Sequence, residues 1–261
     1  NGFDANRNAY IYYNGSFDAA GNFLSLFQSA QDTNVNGRHQ IFGVPYSRFL
    51  RIDNDLIISK AINKKSSGHF RLLAGGGLPN GNKETSLPFD YSFFGGGSND
   101  NRGWSARSLG PGSYKYMLDT NRTLTQIGDI RLSGSAEYRF DLGKALRGAV
   151  FLDAGNIWTV KEDVNRPGSQ FSKNWYQEIA YSAGVGLRLD LDYFIIRVDV
   201  GIPINSVSLP KATQWIWQPR DAMVDELVNF YGQTTYDRLI TEGKIPKPFK
   251  AEWHFGIGYP F

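Results

Sequence analysis

The sequence of 261 residues contains no cysteine, so it can form neither a disulfide framework nor a thiolate metal site. It also lacks any run of about eighteen apolar residues, the length that a membrane-spanning helix requires. Its longer apolar stretches, such as Tyr193–Ile196, are soon interrupted by charge. The three histidines, His39, His69 and His254, lie far apart in sequence, and we therefore predict no metal site.

The formal net charge of +3 is too small to indicate a nucleic-acid-binding protein, and we predict no nucleic-acid partner. The sequence begins Asn-Gly-Phe-Asp, with neither a methionine nor a signal-peptide pattern. On that basis we expect a mature product or a fragment.

Sequence motifs of common enzymes are missing as well. The glycine runs Gly75–Gly77 and Gly95–Gly97 lack the Lys-Ser/Thr pair and the following helix of a phosphate-binding loop. No Gly-x-Ser-x-Gly elbow of a hydrolase occurs. We therefore predict that the protein is not an enzyme and uses no cofactor.

What the sequence does contain is glycine (29 residues) and aromatic side chains (15%), a composition typical of strands and turns. Gly128–Phe140 shows the clearest alternation of apolar with charged or small residues, the period of a β-strand. Similar patterns predict eight strands, over residues 7–27, 47–62, 69–78, 128–140, 146–158, 178–191, 194–202 and 252–261.

The predicted connections between these strands are alternately short and long. Short turns fall at 63–67, 142–145 and 191–192, and long connections at 28–46, 79–123, 159–176 and 203–250. Membrane barrels have this arrangement, with tight turns at one end and long loops at the other. The last long connection contains a helical segment, Asp221–Tyr231, which we expect to pack on the barrel mouth rather than to bind a partner.

Two readings of the alternation remain open. In a soluble sheet the apolar face would form a core and the charged face would meet water. In a membrane barrel the apolar face meets lipid and the charged face lines a lumen. The sorting of the connections by length favours the second reading, so we predict an all-β protein, a transmembrane antiparallel β-barrel, as one domain over residues 1–261.

One loop stands out, Phe93–Tyr116, because it holds six glycines and a proline within a strand-rich chain. Long loops of this kind are uncommon and usually functional. At its centre lie Arg102, Gly103 and Trp104. We predict that the loop folds back into the barrel and that inward-facing carboxylates anchor the Arg102 guanidinium.

The candidate carboxylates are Glu137 and Asp153, which lie on the charged faces of the next two predicted strands. Adjacent antiparallel strands can place them side by side, where a guanidinium between them would relieve their repulsion. The alternative is that these carboxylates pair with arginines on the strands themselves, namely Arg131, Arg139 or Arg147.

Four motifs together resemble the BamA/TamA superfamily of outer-membrane assembly factors, and in particular the TamA-like members of Bacteroidetes-type bacteria. They are Arg102-Gly103-Trp104, its flanks FFGGGSN and SLGPGSY, EYRF at Glu137–Phe140, and FLDAGNIW at Phe151–Trp158. The resemblance extends from about residue 20 to residue 261. Trp104 stands where the family more often has Phe or Tyr.

The resemblance implies a sixteen-stranded barrel of which this chain supplies the C-terminal half, strands nine to sixteen. It also implies that the loop arginine reaches into the lumen and contacts acidic residues on strands twelve and thirteen. By position these residues are Glu137 and Asp153.

The last residues match the signal found at barrel C-termini, a glycine followed by two aromatic residues, here Gly256, Tyr259 and Phe261. We expect these aromatic side chains on the same face as Trp253, at the membrane interface. Pro260 removes a backbone donor and would weaken pairing at the barrel seam. The alternative is an ordinary edge strand that ends on phenylalanine.

The resemblance implies a protein of the bacterial outer membrane that assists insertion, assembly or translocation of outer-membrane and surface proteins through an openable strand seam. Its expected partners are outer-membrane lipid and lipopolysaccharide, client barrel proteins, and periplasmic or accessory assembly subunits. Two alternatives are a passive pore or transporter barrel with an inward-folded plug loop, and a soluble all-β binding domain. Client-binding repeats encoded upstream of Asn1 would favour an assembly factor over a pore.

Overall fold

The computed structural model describes residues 9–81, 85–115, 126–143, 145–191, 193–243 and 249–261. Eight long strands form one antiparallel sheet in which every strand pairs with its neighbours in chain order. They are β1 (Ala9–Ala20), β2 (Phe49–Asn63), β3 (Ser66–Pro79), β4 (Ile130–Asp141), β5 (Leu146–Trp158), β6 (Ala180–Asp190), β7 (Ile195–Pro203) and β8 (Glu252–Ile257).

The prediction of eight strands joined by alternately short and long connections is confirmed. Short turns join β2 to β3, β4 to β5 and β6 to β7, whereas the other four connections are long. One long connection, predicted as a plain loop, carries a small second sheet. The strands of that sheet are Asp32–Thr33, His39–Ile41 and Val44–Pro45.

Among the described residues, helical segments occur only in the long connections. The predicted helix is present as α1 (Arg220–Tyr231), and a second helix, α2 (Gln233–Thr241), follows it without having been predicted. Short 3-10 turns occur at Leu24–Ala30, Phe89–Tyr91, Trp175–Glu178 and Lys211–Thr213. Among the residues that the structure describes, no helix is long and apolar enough to span a membrane.

The two faces of the sheet have the reverse of the burial found in a water-soluble sandwich. On the outer face, Leu152 is 60% exposed and Phe255 is 74% exposed. On the inner face, Glu137, Arg188 and Asp199 are at most 3% exposed. Exposed aliphatic and aromatic side chains are costly in water, since each loses the benefit of burial. A wall that meets lipid outside and is polar inside has this distribution.

The sheet is open within the described residues, with β1 and β8 as its edges. Twelve residue pairs join β1 to β2, but only six join β8 to β7. The sixteen-stranded barrel therefore remains a prediction.

The last predicted strand is shorter than expected. Ladder pairing with β7 stops at Ile257, and Gly258 adopts a positive φ of 87° that redirects the chain. The expectation that Tyr259 and Phe261 continue the outer face of Trp253 is therefore wrong.

If the outer face meets lipid, two substitutions of exposed side chains by arginine should differ in their effect on stability. Leu152→Arg places a charge at the middle of β5, where a lipid-facing position costs about 2–4 kcal/mol. Urea unfolding in lipid vesicles, monitored by the heat-dependent shift in gel mobility, measures that loss of stability. The control is Val164→Arg, in a long connection, where the side chain is 88% exposed and a charge costs little. Equal stability of the two variants would contradict a lipid-facing wall.

Candidate functional site

The loop that joins β3 to β4 folds over the inner face of the sheet. Its two arms are held together by bridges between Phe93 and Gly128 and between Gly95 and Leu109. The Gly97 amide donates to the Trp104 carbonyl at 2.9 Å and closes a turn at the tip. The structure thus places Arg102 at the tip of an inward hairpin.

The Arg102 guanidinium is fully buried and hydrogen-bonded to two carboxylates. Its Nε and Nη2 donate to the two oxygens of Asp153 at 2.9 and 2.8 Å, a bidentate pair. Its Nη1 donates to Glu137 Oε2 at 2.6 Å. The backbone N–H of Arg102 also donates to Asp153, at 3.0 Å. The guanidinium lies 3.4 Å from the centre of the Phe151 ring, which adds a cation–π contact.

The two carboxylates are diagonal neighbours rather than directly opposite each other. Glu137 on β4 faces Phe151 on β5, and Asp153 faces Ser135. All of these side chains share the inner face, since positions two apart on a strand point the same way. The planar guanidinium spans the diagonal, which a lysine ammonium, as a point charge, could not do.

The alternative pairing of Glu137 with strand arginines is also partly present. Its Oε1 accepts from Arg139 Nε at 2.7 Å and from Arg188 Nη2 at 3.0 Å. The other two candidates pair elsewhere: Arg131 with Asp53, and Arg147 with Asp141 and Asp190. Glu137 therefore belongs to both arrangements.

Sequence reasoning missed three members of this buried cluster, Arg188 on β6 and Arg197 and Asp199 on β7. Arg188 Nη1 donates to Asp199 Oδ1 at 2.5 Å, and both side chains are fully buried. The alternation in the sequence does place these residues on the charged, inward faces of their strands. The contact of Arg188 with Glu137, two strands away on β4, depends on the curvature of the sheet, and the alternation carries no information about that.

The backbone of the loop tip is seated on β6. The Ser182 hydroxyl donates to Asn101 Oδ1 at 2.6 Å and accepts from the Gly103 amide at 3.1 Å. Asn101 Nδ2 donates to the Ala180 carbonyl at 3.0 Å. A methyl group at Gly103 would overlap the Ser182 side chain, so glycine at this position permits the close approach.

Trp104 and Asp100 anchor the two sides of the tip. Trp104 packs in a buried cluster with Leu109, Ala180 and Val207. Asp100 accepts hydrogen bonds from the Gly96 amide and the Ser133 hydroxyl. Burial raises the pKa of Asp100, and the hydrogen bond from Ser133 opposes that rise.

The residues of the terminal signal lie on the inner side. Arg147 Nη1 donates to the Tyr259 hydroxyl at 2.7 Å, and the Arg139 guanidinium lies 4.3 Å from the Tyr259 ring centre. Arg139 also contacts the Phe261 ring at 5.6 Å and donates to its carbonyl oxygen at 3.1 Å. Cation–π and hydrogen-bond contacts with Arg139, which is buried, and with Arg147, which is partly exposed, therefore replace the predicted interface position of these aromatic residues.

Gly256 occupies an inner position of β8. A side chain there would overlap Arg197, so this glycine makes room for that arginine. Among the described residues, no group of three or more potential ligands could hold a metal ion.

A family model described as the Omp85 superfamily domain matches residues 28–261. Solved structures similar to this chain include BamA from Haemophilus ducreyi lacking POTRA domains 1-3, with a TM-score of 0.46 and 16% identity. That match covers 78% of this chain and 49% of the other, so the chain spans about half the length of that structure. No curated protein matches the chain by sequence.

The buried ion pairs predict a large loss on removing either partner. Arg102→Ala leaves two buried carboxylates with fewer donors, and Asp153→Asn leaves the guanidinium with a weaker acceptor. Breaking a buried pair costs about 3–5 kcal/mol, so we expect both variants to lower the denaturant midpoint comparably. Lys115→Ala, which removes an exposed cation of the same loop, is the control and should be neutral. Wild-type stability in both variants would disprove the anchor.

Seating of the tip also predicts that Gly201 on β7 cannot carry a side chain. A methyl group there would overlap the carbonyl oxygen of Arg102, so Gly201→Ala should lift the tip from the wall. Limited proteolysis of the loop measures this as faster cleavage. Gly76→Ala on β3 is a matched control, because a methyl group at that position meets nothing within 4 Å. Equal cleavage of the two variants would contradict the seating.

Proposed function

The chain belongs to the Omp85 superfamily, and from that premise we propose that it assists the insertion or assembly of outer-membrane and surface proteins. The family match covers residues 28–261, which include all of the sheet except β1. The same proposal includes location in the bacterial outer membrane, barrel proteins as clients, and contacts with lipid or lipopolysaccharide.

The observation that carries the proposal is the combination of a locked loop with a weakly held edge. Arg102 is fixed to the middle of the sheet by Glu137 and Asp153. By contrast, β8 has six paired residues on one side and no paired strand on the other within the described part of the chain. An edge strand of this kind offers free N–H and C=O groups to another strand.

In the proposed mechanism, a client strand pairs with an exposed barrel edge while the loop keeps the wall in shape. Strand addition uses backbone hydrogen bonds, so no bond chemistry is required. Gly258 and Pro260 help to keep the seam weak, because the chain turns away after Ile257 and proline has no amide donor.

We propose further that β1 joins additional strands of a larger barrel, sixteen in all. Its twelve residues pair with β2 on one side only in the described structure. The outer face of β1 carries Ile11 and Phe17, both more than two-thirds exposed, and continues the apolar face of β2.

One observation favours the second candidate, a pore or transporter barrel with a plug loop. A polar cavity of about 610 Å³ lies on the inner face. Its charged lining includes Asp53, Asp55, Arg71 and Arg131 from the wall and Asp100 from the loop. A charged lumen of this kind suits the passage of small hydrophilic solutes.

Cysteine crosslinking distinguishes the two candidates, because the chain has no cysteine of its own. The Phe255→Cys substitution is on the outer face of the edge strand β8. The control, Val150→Cys, is on the outer face of β5, a strand that is paired on both sides. The probe is an eight-stranded outer-membrane barrel with one cysteine in its last strand, expressed in the same cells.

An assembly factor should give a disulfide with Phe255→Cys and none with Val150→Cys. A pore should give neither crosslink, and proteoliposomes containing it should admit small sugars in a swelling assay. Equal crosslinking at both positions would indicate random collision and would contradict strand pairing.

A further inference from the structure

His254 differs from its neighbours on β8 by pointing inward. Trp253 and Phe255 are 63% and 74% exposed on the outer face, whereas His254 is 9% exposed. Its Nε2 lies 2.9 Å from the carbonyl oxygen of Arg102. A carbonyl oxygen only accepts, so Nε2 carries the proton and donates it.

Arg102 therefore connects the middle of the sheet to its edge. Its side chain is bound by Glu137 on β4 and Asp153 on β5, while its carbonyl oxygen is bound by His254 on β8. The carbonyl reaches that position because Gly201 on β7 has no side chain to block it. The loop thus bridges the two intervening strands, β6 and β7.

This bond is important because the ladder that holds β8 to β7 is short. Nine residue pairs join β7 to β6, but only six join β7 to β8. The other side of β8 is unpaired within the described residues. A buried hydrogen bond from the centre of β8 to a locked loop therefore adds to this short ladder, whereas the other side-chain contacts, those of Tyr259 and Phe261, lie beyond the end of the strand.

We infer that His254 is the positioning residue through which the seated loop holds edge strand β8 against β7. Release of its hydrogen bond to the Arg102 carbonyl loosens the edge without unlocking the loop. The inference rests on the proposed function, since a loosened β8 matters to clients only if β8 is the seam strand.

The test is hydrogen exchange of peptides covering residues 252–257, measured on the full protein in lipid nanodiscs. His254→Phe keeps a ring and removes the donor, and we expect about fivefold faster exchange, the size of one net hydrogen bond. His254→Gln carries an amide N–H and should restore most of the protection. Protease resistance of the loop should be unchanged in both variants, because Arg102 keeps its carboxylates.

His69→Phe is the matched control. His69 is also a buried inner-face histidine, on β3, but it bonds to the hydroxyls of Ser59 and Ser67 and not to the loop. This variant should leave exchange of residues 252–257 unchanged.

A double-mutant cycle separates coupling from general destabilisation. In Arg102→Ala the loop is unseated, so adding His254→Phe should accelerate β8 exchange no further. Any of three results would overturn the inference. They are additive effects in the double variant, unchanged exchange in His254→Phe, and failure of His254→Gln to restore protection.

Client insertion provides a separate readout. If β8 exchange responds as expected but insertion of the barrel probe is the same in His254→Phe and wild type, the loop–strand link stands and the proposed seam function fails. If β8 exchange does not respond, the link itself fails, whatever the insertion rate.

Discussion

The structure depends on the neutralisation of charge on the buried inner face. Glu137, Asp153 and Asp199 are removed from water, and a buried carboxylate without a cation costs several kcal/mol. Strand arginines such as Arg188 supply part of the positive charge, but Asp153 is bound by Arg102, which arrives on a loop. The wall and the loop therefore stabilise each other, and neither is complete alone.

Local patterns were enough to predict the strands. Alternation along Ile130–Asp141 and its counterparts is a property of neighbouring residues, and it also identified the inner face correctly. The partners of Arg102 came from the resemblance to a known family, because the residues alone left the strand arginines as competing partners. The structure shows that Glu137 accepts from both sets.

What could not be predicted depends on curvature and on chain direction. Arg188 meets Glu137, and His254 meets the loop, only because the sheet is curved, and no local pattern encodes that curvature. The predicted path after Ile257 was wrong because Gly258 takes a left-handed conformation and one buried arginine, Arg139, contacts the aromatic rings of both Tyr259 and Phe261. Alternation continues through those residues in the sequence although the strand does not.

The position of Arg102 in the chain has a consequence for the order of folding. Each of its partners lies downstream, from Glu137 on β4 to His254 on β8, up to 152 residues away. When the chain is made from the N-terminus onward, Arg102 is present well before the acceptors Glu137 and Asp153 and the donor His254 have been added. Contacts of such separation form late, since their loop-closure entropy must first be offset. The guanidinium can therefore be seated only after β4 and β5 are in place, and the link from the loop to the edge can form only after the last strand has docked.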